Sequence, residues 1–213
     1  MNASKCLRML KSDPPDVDGA REVAQRMIRD GNRASEVIAR LRTLFSMKRI
    51  NVEPVDLNEA AREVIALLSD ELQKNNVILK YEFGDRLPTV YGDRVQLQQV
   101  ILNLIHNGSD AMISVNNRPR QLLIRTETDG KHVTLSVQDS GVGFSPEISE
   151  RLFEPFFRTK QEGMGIGLSV SQSIIEAHHG RIWAVLNEVP GPTFVFSIPK
   201  DAGNLAEQRT CAQ

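Results

Sequence analysis

The sequence predicts an α/β fold, a two-layer sandwich in which a mixed sheet carries helices on one face, behind a partial helical hairpin. Three observations predict it. After residue 57, segments with helical apolar periodicity alternate along the chain with segments that show strand-like alternation. A long segment near the N-terminus has a narrow apolar seam, which is typical of helices that pack against other helices. Two glycine clusters, Gly141/Gly143 and Gly163/Gly165/Gly167, flank a segment that contains four phenylalanines.

Composition limits the class of protein. The 213 residues suffice for one domain or two unequal ones, and 40% hydrophobic with 25% charged residues is ordinary for a globular protein. A net charge of −1 gives no electrostatic reason to expect a nucleic-acid partner. We expect no direct membrane contact, because no apolar run approaches the ~20 residues that span a bilayer. Cys6 and Cys211 lie near opposite ends, which favours free thiols and a cytoplasmic location.

The N-terminal segment predicts a helical hairpin over residues 1–47. Residues 1–12 form one or two turns of helix that end at Asp13-Pro14-Pro15. Helical spacing of apolar residues continues from Val17 to Phe45. Such a narrow seam cannot be buried by one short companion, so we expect a partner chain, most simply in a homodimer.

Residues 48–56 show little pattern and are expected to form a linker to a domain over 57–200. Asp56 is the predicted N-cap of an amphipathic helix, with Glu59 at capping-box spacing. That helix ends near Asn75-Asn76, and residues 77–83 alternate as a strand. After a turn region, Asp93 is predicted to cap the next helix. Residues 201–213 are expected to be a disordered tail.

The helix after Asp93 carries polar residues on an otherwise apolar surface. Asn103, Asn107 and Asp110 follow one another at i, i+4 and i+7 and so share one helix face. They either are hydrogen-bonded core residues or face a polar cavity, where amide oxygens, phosphate oxygens and water suit Mg²⁺. Gly108 costs about 1 kcal/mol relative to Ala in a helix, which favours a close approach of something bulky.

The remaining strands place Asp139 at the first glycine turn. Strands are predicted over 121–128 and 132–138, joined by the hairpin signal Asp129-Gly130, and a closing hairpin over 181–186 and 193–198. The Asp139 carboxylate could accept a hydrogen bond from an exocyclic amine and so select adenine over guanine. The alternative is simple capping of the turn. The second glycine cluster leads into a helix, where backbone N–H groups can bind phosphate.

These residues resemble the ATP-binding catalytic domain of sensor histidine kinases, within the superfamily that also contains gyrase, heat-shock chaperones and mismatch-repair ATPases. In this sequence, QVILNLIHNGSDAM resembles the family's N box and DSGVGF its first glycine box. FEPFFRTK resembles its F box and GMGIGLS its second glycine box. Residues 14–45 are similar to the second helix of the family's dimerisation and phosphotransfer domain.

The resemblance implies a site for ATP and Mg²⁺. Asn107 would bind Mg²⁺, with Asn103 beside it, and Asp139 would bind the adenine amine, assisted by Thr193. Residues 144–164 would form a mobile lid anchored by Phe153, Phe156 or Phe157, and Lys160 and Asn103 would be the catalytic residues. The implied ATP-binding residues are Asn103, Asn107, Asp110, Asp139, Gly141, Gly143, Lys160, Gly163, Gly165, Gly167, Leu168 and Thr193.

The implied reaction is transfer of the γ-phosphoryl group to a histidine, which passes it to the receiver domain of a response regulator. Hydrolytic relatives resemble this helix but carry a glutamate where this chain has Asn103, and an amide cannot act as a general base. The chain's histidines are His106, His132, His178 and His179. None lies in an acceptor-like context, so we expect no autophosphorylation of the usual kind.

Three alternatives stay open: a regulatory ATP-binding and dimerisation module without kinase activity, a hydrolytic ATPase, and a kinase that acts on an acceptor helix in trans. We interpret His106 and His179, which depart from the family's boxes, as variation and not as ligands.

Overall fold

The structure is a computed structural model that describes residues 2–27, 51–157, 165–187 and 190–200. The chain divides into two compact units, Met1–Met47 and Lys48–Gln213. Within the described residues, no helix combines the length and the apolar character needed to cross a membrane.

The first unit begins with helix α1 (Asn2–Leu10). The chain then turns through Asp13-Pro14-Pro15, as predicted, and residues 17–27 are helical (α2). Ala20 and Val23 of α2 are buried, and the Cys6 thiol donates to the Ala20 carbonyl at 3.4 Å. The predicted continuation of the apolar seam, from residue 28 to Phe45, lies outside the described residues.

The second unit contains a five-stranded sheet in the order β2-β4-β5-β7-β6. Its strands are β2 (Val77–Phe83), β4 (Arg120–Thr128), β5 (His132–Asp139), β6 (Arg181–Leu186) and β7 (Pro192–Pro199). β2 and β4 are parallel, whereas β4–β5, β5–β7 and β6–β7 are antiparallel. The sheet is therefore mixed.

One face of this sheet is covered by three helices: α3 (Leu57–Lys74), α4 (Arg94–Met112) and α6 (Gly167–Ala177). Strand β5 shows the division clearly, because Val133, Leu135 and Val137 are buried while Thr134 and Ser136 between them are only partly so. Successive side chains of a strand point to opposite faces, so the buried set faces the helices. The predicted fold class is confirmed.

The helix caps follow the sequence prediction in part. Asp56 accepts from the amides of Asn58 and Glu59, and Asp93 accepts from the amide of Gln96. Glu59 does not complete the capping box in the described residues but pairs with Arg94 at 3.2 Å.

Two short strands differ from expectation. β1 (Glu53–Val55) pairs antiparallel with β3 (Val90–Gly92), whereas the sequence predicts a linker for the first segment and a turn for the second. Three residues are too few to show alternation, so only pairing reveals such strands. Between the glycine clusters lie one turn of helix, α5 (Pro146–Ser149), and a 3-10 helix over Glu150–Phe153.

Candidate nucleotide site

The candidate site is built around Asp139, the last residue of β5. It continues the series Val133, Leu135 and Val137, so its side chain points toward the helices, and the residue is only 2% exposed. Its Oδ1 accepts a hydrogen bond from the Gly141 amide at 2.7 Å. A carboxylate is rarely buried this deeply without a specific reason, because loss of hydration is costly.

Glycines from three parts of the chain surround this carboxylate. A Cβ on Gly108 of α4 would lie 2.6 Å from the Leu122 side chain and 3.3 Å from the Asp139 Cβ. A Cβ on Gly141 would lie 2.6 Å from Asp139 Oδ1. A Cβ on Gly191 would collide with the Asp139 carbonyl oxygen, and Gly191 also has φ +93°. The close approach that Gly108 suggested is therefore against Leu122 and Asp139.

Arg118 fixes the first glycine turn. Its Nε donates to the Ser140 carbonyl at 3.0 Å and its Nη2 to the Gly141 carbonyl at 2.8 Å. The Ser140 hydroxyl accepts from the Gln121 amide and donates to the Pro119 carbonyl. Gly143, which follows, has φ +72° and open space around its missing Cβ. The turn after Asp139 is thus held rigidly up to Gly141.

The polar face of α4 changes from buried to exposed along the helix. Asn103 is 4% exposed, Asn107 is half-buried and Asp110 is exposed. The Asn103 amide nitrogen donates to the Gly167 carbonyl at 3.1 Å and to the Ser171 hydroxyl at 3.2 Å. The Asn107 side chain makes no hydrogen bond within the described residues. Asn103 is therefore a hydrogen-bonded core residue, whereas the Asn107 amide is available for a ligand.

Ile166 occupies the N-cap position of α6. Within the part of the chain that the structure describes, it makes no side-chain capping hydrogen bond, in contrast to the aspartates that cap α3 and α4. The first N–H groups of a helix have no partner within it, and the helix dipole makes this end electropositive. Because Asn103 binds the Gly167 carbonyl, the uncapped end lies against α4. Leu168 in this first turn is partly buried and packs on the core.

The aromatic segment before α6 is partly anchored in the core. Phe153 and Phe157 are half-buried and pack against it, whereas Phe156 is 71% exposed. The Phe156 amide donates to the Gly165 carbonyl at 2.9 Å, and a Cβ on Gly165 would collide with the Phe157 carbonyl. This contact brings the described residues on either side of segment 158–164 together. Lys160 and Gly163 lie outside the described residues.

The Thr193 side chain does not lie beside Asp139, although the two are predicted to bind the same base. It pairs with Gln138 across the β5–β7 ladder and so lies on the sheet face opposite Asp139. Its hydroxyl accepts from the Asn187 amide at 3.0 Å, and the same amide donates to the Gly191 carbonyl at 2.8 Å. The role predicted for Thr193 stays a prediction, and its position favours shaping the turn beside Asp139 over direct contact with a base.

His178 joins the two helices that border the site. It is 1% exposed, its Nδ1 lies 2.7 Å from the Ile174 carbonyl, and its Nε2 accepts from the Asp93 amide at 2.9 Å. These contacts require the neutral ring with its proton on Nδ1. Desolvation by burial lowers the pKa of His178, which favours this neutral form. His178 thereby connects the C-terminus of α6 to the start of α4.

Sequence reasoning misses the supporting residues Arg118, Ser171, His178, Asn187 and Gly191. Only Gly191 carries a signal, as part of Pro190-Gly191-Pro192 between two strand candidates. The other residues have hydrogen-bond partners that are set by strand register or by contacts between helices that are distant in sequence. Asn103 and Ser171, for example, are 68 positions apart.

The family model described as histidine kinase-, DNA gyrase B-, and HSP90-like ATPase matches residues 92–202. The chain belongs to this family. Within it, the similarities below identify the chain as an ATP-binding catalytic domain of the histidine kinase type.

Two curated relatives share about a third of their residues with this chain. It is 34% identical over 200 residues to the sensor histidine kinase TmoS of Ectopseudomonas mendocina, covering 93% of this chain and 21% of TmoS. It is 36% identical over 202 residues to the sensor protein FixL of Bradyrhizobium diazoefficiens, covering 93% of this chain and 39% of FixL. The chain therefore spans between a fifth and two-fifths of the length of these relatives.

Solved structures give the same result. The catalytic domain of histidine kinase ThkA matches with a TM-score of 0.63 and 34% identity, over 70% of this chain and 98% of that one. ThkA in complex with the response regulator protein TrrA matches with a TM-score of 0.72 and 28% identity, over 95% of this chain and 57% of that one. Full-length ShkA in complex with AMPPNP matches with a TM-score of 0.69 and 25% identity, over 86% of this chain and 38% of that one.

Proposed function

We propose that this chain binds ATP with Mg²⁺ and acts as the catalytic part of a two-component sensor histidine kinase, transferring the γ-phosphoryl group to a histidine on another segment. The observation that carries the proposal is the buried Asp139 carboxylate with Gly108, Gly141 and Gly191 packed around it. Those glycines let three segments of backbone pack directly against Asp139, and we propose that its carboxylate is the acceptor for the ligand's amine.

The adenine base is placed at Asp139. A carboxylate accepts hydrogen bonds and an adenine offers a donor at its exocyclic amine, whereas guanine carries a carbonyl oxygen at the corresponding position. Two acceptors facing one another leave both groups unpaired, which strongly discriminates between ligands in a buried site. Arg118 supports this selectivity by holding the turn whose Gly141 amide orients the carboxylate.

We propose that the phosphates bind at the N-terminus of α6. The first-turn N–H groups and the helix dipole favour an anion there. Gly163, Gly165, Gly167 and Lys160 are proposed to complete the phosphate site around this end of the helix. Residues 144–164 are proposed to cover the nucleotide as a lid, anchored by Phe153 and Phe157 in the core.

The donor set around Asn107 fits Mg²⁺. This cation prefers oxygen ligands and retains several waters, and the Asn107 amide oxygen would meet that preference. When bound, Mg²⁺ would neutralise charge on the phosphates. Asn103 and Asp110 lie one turn to either side of Asn107 on the same face, where Asn103 is proposed to stabilise the site and the exposed Asp110 would contact bound water.

Transfer to a histidine is favoured over hydrolysis. The Asn103 amide nitrogen donates to Gly167 and Ser171, so the side chain is held in place and provides no base to activate water. Catalysis then rests on aiming the γ-phosphoryl group and on electrostatic stabilisation by Lys160 and the α6 N-terminus.

The acceptor histidine is proposed to come from outside this sequence. His178 is buried and holds Asp93, His106 lies 3.2 Å from Glu71, and His132 lies 3.3 Å from Asp129. His179 follows α6 with φ +56°. All four belong to the nucleotide domain itself, so we propose that this chain phosphorylates a partner and not itself.

The proposed partners are a second copy and a response regulator. The exposed apolar side chains of Leu7, Leu10 and Val17 in the helical unit support self-association through that unit. Similarity to ThkA in complex with TrrA supports a receiver domain as the final acceptor. We place the activity in the cytoplasm, where ATP is supplied and thiols such as Cys6 stay reduced.

Thermal unfolding tests nucleotide binding. Millimolar ATP with Mg²⁺ should raise the Tm of the wild-type chain, because a ligand that binds only the folded state stabilises it, by about 2.7 kcal/mol at a concentration of 100 Kd. GTP should raise the Tm much less. Asp139→Asn should abolish the ATP-dependent shift, because its amide would present a donor to the adenine amine.

The matched control is Asp129→Asn, at the opposite end of β5. Asp129 is an exposed turn residue that accepts from the amides of Lys131 and His132, and it should keep the full shift after substitution. A wild-type chain whose Tm does not respond to ATP would refute the proposal, as would equal responses to ATP and GTP.

A further inference from the structure

Ser171 lies where α6 meets α4 and has no role in the sequence analysis. It is fully buried, at 0% exposure. Its hydroxyl donates to the Gly167 carbonyl at 3.0 Å and lies 3.2 Å from the Asn103 amide nitrogen. The Asn103 nitrogen also lies 3.1 Å from the Gly167 carbonyl. The three groups form a closed triangle.

Hydrogen-bond chemistry fixes the direction of every bond in this triangle. A carbonyl oxygen only accepts, so Gly167 must receive protons from both neighbours. The single hydroxyl proton of Ser171 is therefore directed at Gly167, and Ser171 can only accept from Asn103. The atom of Asn103 that faces α6 must then be the NH₂ group, with both of its protons engaged.

The amide orientation of Asn103 follows from this. With NH₂ committed to Gly167 and Ser171, only Oδ1 is left to face a ligand. Asn103 then offers a hydrogen-bond acceptor or an oxygen ligand, which suits a hydrated cation, and it offers no donor to a phosphate oxygen.

We propose that Ser171 is a positioning residue for nucleotide binding: it fixes the carboxamide of Asn103 so that Oδ1 faces the nucleotide, and it ties the phosphate-binding end of α6 to α4. The inference rests on the proposed ATP site. In this chain an aspartate, which has the shape of asparagine, would not serve at position 103, since one of its oxygens would face the Gly167 carbonyl.

Serines elsewhere in α6 show that the contact to Asn103 is the special feature. The Ser173 hydroxyl donates to the Ser169 carbonyl at 3.1 Å, four residues back, as Ser171 does to Gly167. Ser173 makes no contact with Asn103 within the described residues. Ser173→Ala is therefore the control for loss of a helical serine hydroxyl.

The test is a double-mutant cycle on ATP affinity, measured by titration calorimetry with Mg²⁺ on the full chain. Ser171→Ala should weaken ATP binding about three- to ten-fold, the usual effect of one lost hydrogen bond, and Ser173→Ala should leave it unchanged. In an Asn103→Ala background, Ser171→Ala should have no further effect, because Ser171 acts through Asn103.

A second readout needs no nucleotide. The side-chain NH₂ resonances of Asn103 should shift and their protons should exchange faster in Ser171→Ala, but not in Ser173→Ala. Equal ATP affinities for the two serine variants, additive effects in the cycle, or unchanged Asn103 resonances would overturn the inference. Failure of the wild-type chain to bind ATP would instead refute the proposed function, and the resonances would still decide whether the triangle exists.

Discussion

At the scale of single residues, Asp139 shows how a strand can deliver a charge into a core. Its position in the alternation of β5 directs it inward, and the glycines around it allow a close packing that any side chain would disrupt. The sequence predicts Asp139 as a binding residue because it ends a strand before a glycine turn. It does not predict Gly191 as a neighbour, because that contact depends on the β5–β7 register.

Gly191→Ala should destabilise the fold by about 2–3 kcal/mol, since the new Cβ meets the Asp139 carbonyl and φ is +93°. Gly130→Ala is the control. It has φ +86° but open space, so it should cost only about 1 kcal/mol. Urea denaturation of both variants measures the difference. Equal losses would show that backbone conformation alone, and not the contact with Asp139, matters at Gly191.

The sequence predicts that His179 is a variation from the family's pattern without a role as a ligand. In the structure its backbone adopts a strained conformation. It follows α6 with φ +56°, a conformation that favours glycine, and its side chain is exposed. His179→Gly should therefore raise the free energy of unfolding by about 0.5–1 kcal/mol.

Ala177→Gly, at the last residue of α6, should instead lower the free energy of unfolding, by at most about 1 kcal/mol. Chemical denaturation at neutral pH measures both. A loss of stability in His179→Gly would contradict the explanation.

At the scale of elements, α4 and α6 are joined by polar contacts in two places. Asn103 and Ser171 join them near the start of α6, and His178 joins the end of α6 to Asp93 at the start of α4. Apolar periodicity predicted both helices. It could not predict these contacts, since a serine or histidine looks the same in the sequence whether it faces water or a neighbouring helix.

The His178 contact predicts a pH dependence. Burial lowers the pKa of His178 in the folded state below its usual 6.5, so the unfolded chain binds the proton more readily. Stability from this group is fully present above pH 6.5 and is lost as the pH falls below that value. The free energy of unfolding should therefore decrease between pH 7.5 and 5.5.

His178→Gln separates this effect from the other histidines, because glutamine offers the Asp93 amide an acceptor that does not titrate. The variant should lose less stability than the wild-type chain over the same pH range. Parallel curves would show that His178 does not titrate on unfolding as described.

At the scale of the whole molecule, the sequence predicts the sandwich and the order of its main elements well. Long periodic segments and capping aspartates predict α3, α4 and β5, and hairpin turns predict the antiparallel pairs β4–β5 and β6–β7. The sequence does not predict the short strands β1 and β3, because they are defined by pairing and not by periodicity. It also does not predict the sheet face on which Thr193 lies, because that depends on the β5–β7 register.

The central claim is that this fold passes the γ-phosphoryl group of ATP to a histidine and not to water. The most direct measurement incubates the chain with γ-labelled ATP, Mg²⁺ and a separate polypeptide carrying an acceptor-histidine helix. We expect acid-labile label on that polypeptide, none on this chain, little free phosphate, and loss of all label in Asp139→Asn. Steady release of phosphate that Asp139→Asn abolishes, with no label on the acceptor, would contradict the account.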